Sequence, residues 1–366
     1  MIPKLVKNKN KKKRVLVAMS GGVDSAVAAK LLLQQGYSVT GVFLHFWKDS
    51  GAPMAENKCC SLEALNDARK VAQEIGIELY TLDFRSVFKL AVVDNFLSEY
   101  QKGRTPNPCV LCNKKVKIGR LLKSALALKF DYVATGHYLK IKKVGREYKL
   151  YRAVDKNKDQ SCFLYTFDQA ELSHLLFPLA NYKKPRVREL AKKWHLPVAE
   201  KGESQEICFI PGKHHNDFLK KYISLHPGDI KLLSDGKVLG QHQGLSLYTI
   251  GQRRGIEIGG TGPYYAAQFD WKHNALYVVK DFDDPIFYQD SLIAQKVNWT
   301  SGKEPKLPLD CAAVIRYRHE AVGCRVGSKD SKGYKVLFNK AQRAITPGQS
   351  VVFYRGAEVL GGGIIR

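Results

Sequence analysis

The apolar and polar positions divide the chain into an early region of alternating strands and helices and a later region of short strands. The first apolar run, residues 15–19, is typical of a buried parallel strand. The next apolar positions, up to Leu33, repeat at helical spacing. The same pattern predicts strands over 37–46, 77–82 and 131–135 and helices over 62–75, 87–100, 117–128 and 185–194. This alternation predicts an α/β fold with a parallel sheet, whose ligands lie beyond the carboxyl ends of the strands.

After about residue 211 the pattern changes to glycines and short β runs. These runs cover 228–230, 236–240, 245–250, 312–318 and 350–354. Short strands separated by turns favour a small, mostly β central domain followed by a C-terminal β barrel. The predicted units are a basic disordered tail (1–14), a parallel-sheet domain (15–210), the central domain (211–290) and the barrel (291–366).

Between the first strand and the first helix lies the loop Ser20-Gly-Gly-Val-Asp-Ser25, in which Asp24 and Ser25 are residue types that favour helix N-caps. Strand, small-residue loop and helix together direct backbone N–H groups and a helix dipole at one point, which suits an anion. The lysine of the Gly-x-x-x-x-Gly-Lys-Ser/Thr phosphate loop is absent. The residues resemble instead the pyrophosphate (PP) loop of ATP pyrophosphatases. That resemblance implies an adenine nucleotide α-hydrolase-like fold and cleavage of ATP between its α and β phosphates.

Composition points to a polyanionic partner. The net charge is +25 and the pI about 9.6, which indicates nucleic acid first. Residues 1–14 hold seven Lys/Arg and no acid, so the tail either contacts a phosphate backbone or only solubilises the chain. An export signal and a membrane-length apolar run are both missing from the sequence, which predicts a cytoplasmic protein without a membrane partner.

Eight cysteines in 366 residues do not make a secreted disulfide framework, so they are interpreted as cytosolic thiols. Cys109 and Cys112 follow Pro-Asn-Pro at the start of a predicted helix that carries Lys114, Lys115 and Lys117. A helix N-terminus with nearby lysines predicts a lowered thiol pKa. Cys208 lies alone in a loop between predicted domains. The remaining cysteines are predicted to be structural: Cys59, Cys60, Cys162, Cys311 and Cys324.

Seven motifs in order are similar to those of the tRNA-specific 2-thiouridylases, and the match extends to Thr346-Pro-Gly-Gln349. They are the loop 20–25, Thr105-Pro-Asn-Pro, Leu111-Cys-Asn, Ala134-Thr-Gly-His-Tyr, Lys158-Asp-Gln-Ser, Ser204-Gln-Glu-Ile-Cys-Phe and Tyr248-Thr-Ile-Gly-Gln-Arg-Arg. The resemblance implies ATP- and Mg²⁺-dependent replacement of the 2-oxygen of the wobble uridine by sulfur in tRNAs for Lys, Glu and Gln. The implied partners are the tRNA anticodon stem-loop and a sulfur-donor protein, such as a cysteine desulfurase or sulfur relay protein.

The resemblance also assigns roles to residues. Cys208 would carry the sulfur as a persulfide, and Cys112 would be the nucleophile that releases it, leaving a transient Cys112–Cys208 disulfide. ATP would be bound by Ala18, Met19, Ser20, Gly21, Gly22, Val23, Asp24, Ser25, Leu44 and Gly136. The tRNA would be bound by Asn107, Pro108, Cys109, His137, Lys158, Asp159, Gln160, Arg316, Tyr317 and Gln349, with residues 107–109 around the target base.

Cys109 departs from the family pattern, because many members carry Asp at that position. Cys109, Cys112 and Cys208 provide three thiols, enough for a [4Fe–4S] cluster with one open iron. The same thiols also fit a zinc site with His214 or His215 as fourth ligand, or simple redundancy of thiols. The rest of the match is to the persulfide-type enzymes, which favours persulfide transfer.

Two further functional classes fit parts of the sequence. A different ATP pyrophosphatase, such as an amidotransferase-type synthetase or a lysidine synthetase, would use the same loop but would not need Cys112 and Cys208. A non-enzymatic basic RNA-binding protein would explain the charge. The intact loop 20–25 argues against that third class.

Overall fold

The computed structural model describes residues 12–47, 61–202, 207–210, 215–256, 258–259 and 262–366. Residues 1–11 of the predicted tail, Cys59, Cys60 and His214 therefore lie outside the described residues. Within the described ranges, no helix is both long and apolar enough to cross a bilayer.

The first region contains a five-stranded parallel sheet and a separate hairpin. Its strands are β1 (Arg14–Ala18), β2 (Ser38–His45), β3 (Leu79–Asp83), β4 (Tyr132–Ala134), β5 (Leu139–Val144), β6 (Glu147–Arg152) and β7 (Leu175–Leu176). The sheet has the order β3-β2-β1-β4-β7. Along β1, Val15 and Val17 enter one hydrophobic core while Leu16 and Ala18 enter another, because side chains alternate across a strand. Both faces are buried, as the continuous apolar run predicts.

Helices cover this sheet. They are α1 (Val23–Gln34), α2 (Leu62–Ile75), α3 (Arg85–Phe88), α4 (Asp94–Gln101), α5 (Pro108–Cys112), α6 (Gly119–Ala127), α7 (Gln169–Leu172) and α8 (Lys184–Lys193). The expected N-cap residues of α1 were wrong: Gly22 is the N-cap, so Asp24 and Ser25 lie inside the first turn. Gly21 has a φ of +71°, and a Cβ there would lie 2.2 Å from the carbonyl oxygen of Ala64. The glycine thus lets the loop pack directly on α2.

The helices predicted over 87–100 and 117–128 are each part of a longer helical run interrupted by a π-helical segment. One segment, Lys89–Val93, joins α3 to α4, and the other, Asn113–Lys117, joins α5 to α6. Each π turn is wider than an α turn, a local feature that apolar spacing does not reveal. Gly119 follows the second segment, where a Cβ would lie 1.9 Å from the carbonyl oxygen of Lys114. Such π segments are often found at functional sites.

The middle region contains helix α9 (His215–Tyr222) and a four-stranded sheet. Its strands are β8 (Gly228–Leu232), β9 (Val238–His242), β10 (Tyr265–Asp270) and β11 (Ala275–Val279), in the order β10-β11-β8-β9. The β run expected over 245–250 was wrong, because Leu245–Leu247 form a 3₁₀ turn after Gly244, whose φ is +158°. The hairpin β10–β11 was not predicted, although Asn274 at its turn has a φ of +49°.

The C-terminal region is a closed six-stranded antiparallel barrel. Its strands are β12 (Tyr288–Trp299), β13 (Leu309–Val314), β14 (Val322–Asp330), β15 (Gly333–Arg343), β16 (Ser350–Arg355) and β17 (Glu358–Ile365). The order is β12-β15-β14-β13-β16-β17, and pairing of β12 with β17 closes it. The hairpin β5–β6 extends this sheet through pairing of Leu150 with Val359. The expected strand over 312–318 is shorter, because β13 ends at Val314 and the Arg316-Tyr-Arg run lies in the following turn.

Candidate functional site

The loop after β1 is held closed by its own hydroxyl groups. The Ser20 N–H donates to Ser25 Oγ at 3.1 Å, and Ser25 Oγ donates to the Gly22 carbonyl at 3.0 Å. The first N–H groups of α1 have no partner within the helix, and its dipole places positive charge at this end. The arrangement directs backbone N–H groups and the positive end of a helix dipole at one point, which is the geometry that the predicted anion site requires.

The other residues expected to bind the nucleotide lie at the same edge of the sheet. Met19 follows β1 and donates its N–H to Val42 at 2.8 Å, and Leu44 is near the end of β2 with a buried side chain. Gly136 follows β4, and a Cβ there would lie 2.8 Å from the backbone nitrogen of Ser25. The backbone of Gly136 therefore lies against the loop. Ala18 and Val23 are buried on either side of it.

A lysine distant in the sequence pairs with the carboxylate of this loop. Lys184, the first residue of α8, places Nζ 2.7 Å from both carboxylate oxygens of Asp24 across 160 residues of sequence. The Tyr138 hydroxyl donates to the same carboxylate at 2.6 Å. The motifs in the sequence did not identify Lys184. Its position in the sequence was nevertheless informative. The helix dipole disfavours a cation in the first turn of a helix, so a lysine there indicates that its side chain is paired with another group.

The second part of the site is the helix that begins after Pro-Asn-Pro. Asn107 is the N-cap of α5, and its Oδ1 accepts a hydrogen bond from the Cys109 N–H at 3.2 Å. Cys109 is solvent-exposed, whereas Cys112, at the end of α5, is half-buried. Cys208 also is half-buried and packs with Cys112 against the same hydrophobic core. Cys109 and Cys112 both lie close enough to Cys208 for its charge to raise their thiol pKa values, so the fold brings the three thiols near one another.

The expectation of a lowered thiol pKa was wrong. Burial raises the pKa of Cys112 well above its ordinary value, and negative charge on Cys208 raises it further. Burial raises the pKa of Cys109 to about 12, even though part of this residue reaches solvent. Lys117 lowers both pKa values, but by less than burial raises them. One half-buried lysine does not offset the desolvation of a thiolate, so these thiols are protonated at neutral pH.

The two metal hypotheses gain no support from the geometry. Among the described residues, which include Cys109, Cys112 and Cys208, no group of three His, Cys, Asp or Glu side chains is placed to hold a metal ion. The ring of His215 packs instead against Phe96 and Tyr100, with centroids 5.7 and 5.2 Å away. Among the described residues, which do not include His214, neither the iron–sulfur cluster nor the zinc site is built.

Three family descriptions match consecutive parts of this chain. They are a tRNA methyl transferase HUP domain over residues 13–212, a tRNA methyl transferase PRC-barrel domain over 216–280 and an aminomethyltransferase β-barrel domain over 289–365. The chain is also 46% identical over 353 residues to the tRNA-specific 2-thiouridylase MnmA of Bacillus cereus, covering 96% of this chain and 94% of that protein.

The corresponding protein of Halothermothrix orenii is 46% identical over 357 residues, covering 96% of this chain and 99% of the relative. The chain belongs to the tRNA-specific 2-thiouridylase family. Among solved structures, the NMN synthetase of Francisella tularensis matches with a TM-score of 0.31 and 21% identity, covering 52% of this chain and 66% of that one. That last likeness is too distant to support a functional argument.

His137 lies between the sheet edge that holds loop 20–25 and Gly136, here called the nucleotide edge, and the helical run 108–117, here called the thiol helix. It is buried; its Nδ1 shares a hydrogen bond of 2.7 Å with the Thr135 hydroxyl, and its Nε2 lies 3.5 Å from Lys117 Nζ. Burial and the charge of Lys117 lower the pKa of His137 well below its usual value. The imidazole is therefore neutral at physiological pH, and its Nε2 can accept a hydrogen bond from Lys117.

Of the Lys158-Asp-Gln loop of the 2-thiouridylase, two side chains are used inside the protein. The buried Asp159 carboxylate accepts hydrogen bonds from the Ala153 and Ser161 N–H groups at 3.0 and 3.2 Å. Gln160 Oε1 accepts one from the Tyr138 N–H at 3.0 Å. Burial raises the pKa of the Tyr317 phenol, and Lys158 is near enough to oppose part of that rise.

The predicted tRNA residues of the barrel lie beside the thiol helix. Tyr317 is exposed and packs on Phe163, with ring centroids 4.9 Å apart. Arg316 donates to Ala344 and Thr346, so its guanidinium is partly used within the barrel. A small cavity between the first region and the barrel is lined by Asn107, Cys162, Arg316, Tyr317 and Gln349, among others.

Thr105 joins all three regions of this 2-thiouridylase. Its N–H donates to Pro347 at 2.9 Å, and its carbonyl accepts from Gln349 Nε2 at 3.0 Å. Its hydroxyl lies 3.0 Å from that of Thr249 in the middle region. Gln349, predicted to bind tRNA, therefore also holds the segment that leads into Asn107. The sequence did not predict this contact; it showed only that both threonines lie in motifs shared with the family.

Proposed function

We propose that this chain catalyses ATP-dependent 2-thiolation of the wobble uridine in tRNAs for Lys, Glu and Gln. Family membership supports tRNA 2-thiouridylation by an ATP-using enzyme. The observation that carries the proposal is the grouping of Cys112 and Cys208 next to the nucleotide edge. Lys117 and His137 connect the thiols to Gly136 at that edge.

ATP solves the first chemical difficulty of the reaction. The 2-carbonyl of uridine is a poor electrophile with a poor leaving group. In the proposed reaction, the 2-oxygen attacks the α-phosphate of ATP and releases pyrophosphate, so that AMP becomes the leaving group. Loop 20–25 would position the phosphates with its backbone N–H groups. Mg²⁺ bound with ATP would neutralise phosphate charge, and the Ser20 hydroxyl supplies an oxygen donor of the type it prefers.

The thiols supply the second step. A Cys208 persulfide attacks C2 of the adenylated uridine through its terminal sulfur, and AMP leaves. Cys112 then attacks the Cys208 sulfur, which forms the Cys112–Cys208 disulfide and leaves the transferred sulfur on the base. Two electrons pass from the thiols to that sulfur, so a dithiol reductant must reset the enzyme. Lys117 is positioned to favour the thiolate that this step requires.

The barrel and the adjoining loops would hold the RNA. Tyr317 is an exposed aromatic residue, and Arg318 places its guanidinium 5.2 Å from the centre of its ring. Such a surface suits an unpaired base and its phosphate. A base in an anticodon loop costs less to unstack than one in a duplex, which fits attack at a wobble position.

The test is a reaction of the full chain with ATP, Mg²⁺, tRNA transcript, a cysteine desulfurase with cysteine as the persulfide donor, and a dithiol reductant to reset the enzyme. We expect 2-thiouridine and AMP, and we expect Cys112→Ser and Cys208→Ser each to abolish thiolation while tRNA binding is retained. Cys311→Ser, in the barrel, is the matched control and should keep activity. AMP formed on another acceptor would identify a different ATP pyrophosphatase, and tRNA binding without AMP would identify a non-enzymatic RNA-binding protein. Thiolation by an anaerobic, iron-free sample would eliminate the cluster hypothesis.

A further inference from the structure

We propose that Lys184 supplies the positive charge that the nucleotide loop lacks in its own sequence. It does so by neutralising Asp24, so that the loop can accept the phosphates of ATP. This inference rests on the proposed use of ATP. It concerns a residue on α8, outside all the motifs that identify the loop.

Both carboxylate oxygens of Asp24 accept hydrogen bonds from distant side chains. Lys184 Nζ reaches both oxygens at 2.7 Å, and Tyr138 donates to one of them at 2.6 Å. The Lys184 side chain is only 9% exposed, whereas that of Asp24 is 34% exposed. The buried lysine thus lies behind a carboxylate that faces the open side of the loop.

The location of Lys184 is unfavourable without such a partner. It occupies the first turn of α8, where the helix dipole disfavours a cation, and a buried ammonium is costly unless it is paired. Its backbone N–H is fixed by Asp155 Oδ2 at 2.8 Å, which anchors the start of the helix. The ion pair with Asp24 offsets both costs and places the charge at the loop.

The consequence for ATP follows from charge. Asp24 lies in the first turn of α1, next to the N–H groups that would receive the phosphates. An unpaired carboxylate there would repel a polyphosphate, and the repulsion would be weakly screened at a partly buried site. Paired with Lys184, the carboxylate adds no net charge. The helix dipole and the N–H groups then determine the affinity.

The experiment measures ATP binding to the full chain by titration calorimetry, without Mg²⁺, so that metal coordination does not enter. Lys184→Met should weaken binding by at least about tenfold, while Lys184→Arg should retain most of it. Lys183→Met removes a lysine one position earlier that is more exposed, and it should change binding less than about twofold. Thermal unfolding of each variant shows whether the fold is kept.

The double variant tests the mechanism. Asp24→Asn with Lys184→Met removes both charges, so it should bind ATP more tightly than Lys184→Met alone. Equal binding by Lys184→Met and wild type would overturn the inference, and so would a double variant as weak as Lys184→Met. Failure of the wild-type chain to bind ATP would instead reject the proposed function, which separates the two outcomes.

Discussion

The nucleotide loop and the thiol helix have the same local construction but opposite electrostatic outcomes. Each helix begins after a rigid loop, α1 after Ser-Gly-Gly and α5 after Pro-Asn-Pro. The sequence predicted that both helix N-termini would stabilise negative charge. At α1 the carboxylate of Asp24 is paired with a buried lysine. At α5 burial raises the pKa of Cys112, and Lys117 offsets it only in part. A helix N-terminus stabilises a group that is already charged, such as a carboxylate or phosphate. It stabilises a thiolate less readily where the thiol must lose its proton at a site without water.

Gly136→Ala should have the largest effect on the nucleotide side of this comparison. The added Cβ would lie 2.8 Å from the loop backbone, which has little room to move because α2 packs behind it. Overpacking of this kind costs about 1–3 kcal/mol, so we expect roughly a tenfold to hundredfold rise in the KM for ATP. AMP formation measured against ATP concentration checks it. Gly202→Ala, where no atom lies within 4 Å of the added Cβ and the backbone has no positive φ, is the control for adding a methyl group. An unchanged KM in Gly136→Ala would contradict the close contact.

Lys117→Met should have a large effect on the thiol side. Removal of the cation that favours the thiolates of Cys109 and Cys112 raises their pKa values further, and we expect thiolation to fall about tenfold at pH 7.5. ATP binding should stay near wild type. Lys115→Met, an exposed lysine of the same π segment, is the matched control. Equal thiolation rates for Lys117→Met and wild type would show that the thiolate forms without this lysine.

The pH dependence of Cys112 alkylation should follow the sign of its pKa shift. A raised pKa keeps the thiol protonated at higher pH, so the alkylation rate should be low at pH 7 and rise about tenfold per pH unit through pH 9. Cys208→Ser removes a charge that raises the pKa and should shift the curve to lower pH. Peptide mapping after brief iodoacetamide treatment measures both. A plateau near pH 7 would mean a stabilised thiolate.

Thr105→Val should have the smallest effect, and it should act between regions. Loss of the hydroxyl removes the hydrogen bond to Thr249, worth about 1 kcal/mol of unfolding free energy. Thr249→Val should cost about the same. The double variant should cost clearly less than the two added together, because both single changes break one contact. Additive losses in chemical denaturation would show that the two hydroxyls do not interact.

Sequence periodicity predicted the parallel sheet well, because β1 is buried on both faces and the apolar face of α2 is buried from Leu65 to Ile75; Leu62, expected on the same face, is exposed. The π segments were not predicted, because a single wider turn leaves most of the apolar helical spacing unchanged. The turn at Arg316 was mistaken for a strand because aromatic and basic residues alternate there as they do along a strand.

Within the site, motifs located the loop and the cysteines, but their environment depends on contacts across distant sequence. The raised pKa of Cys112 comes from burial that only the fold creates. Lys184 reaches Asp24 from α8, and Gln349 reaches Thr105 from the barrel. Asp159 and Gln160 occur in a motif for tRNA contact, yet their carboxylate and amide oxygens accept hydrogen bonds inside the protein. Local patterns identify such residues but do not show which way a side chain points.

The most direct test of the thiol pair is to map the disulfide left after a single turnover. The enzyme is loaded with persulfide, mixed with ATP and tRNA without reductant, quenched with acid and digested for mass spectrometry. Sulfur transfer from a Cys208 persulfide predicts a peptide pair joined through Cys112 and Cys208, in amounts that match the 2-thiouridine formed. A pair joined through Cys109 and Cys208, or thiolated tRNA with no disulfide, would contradict it.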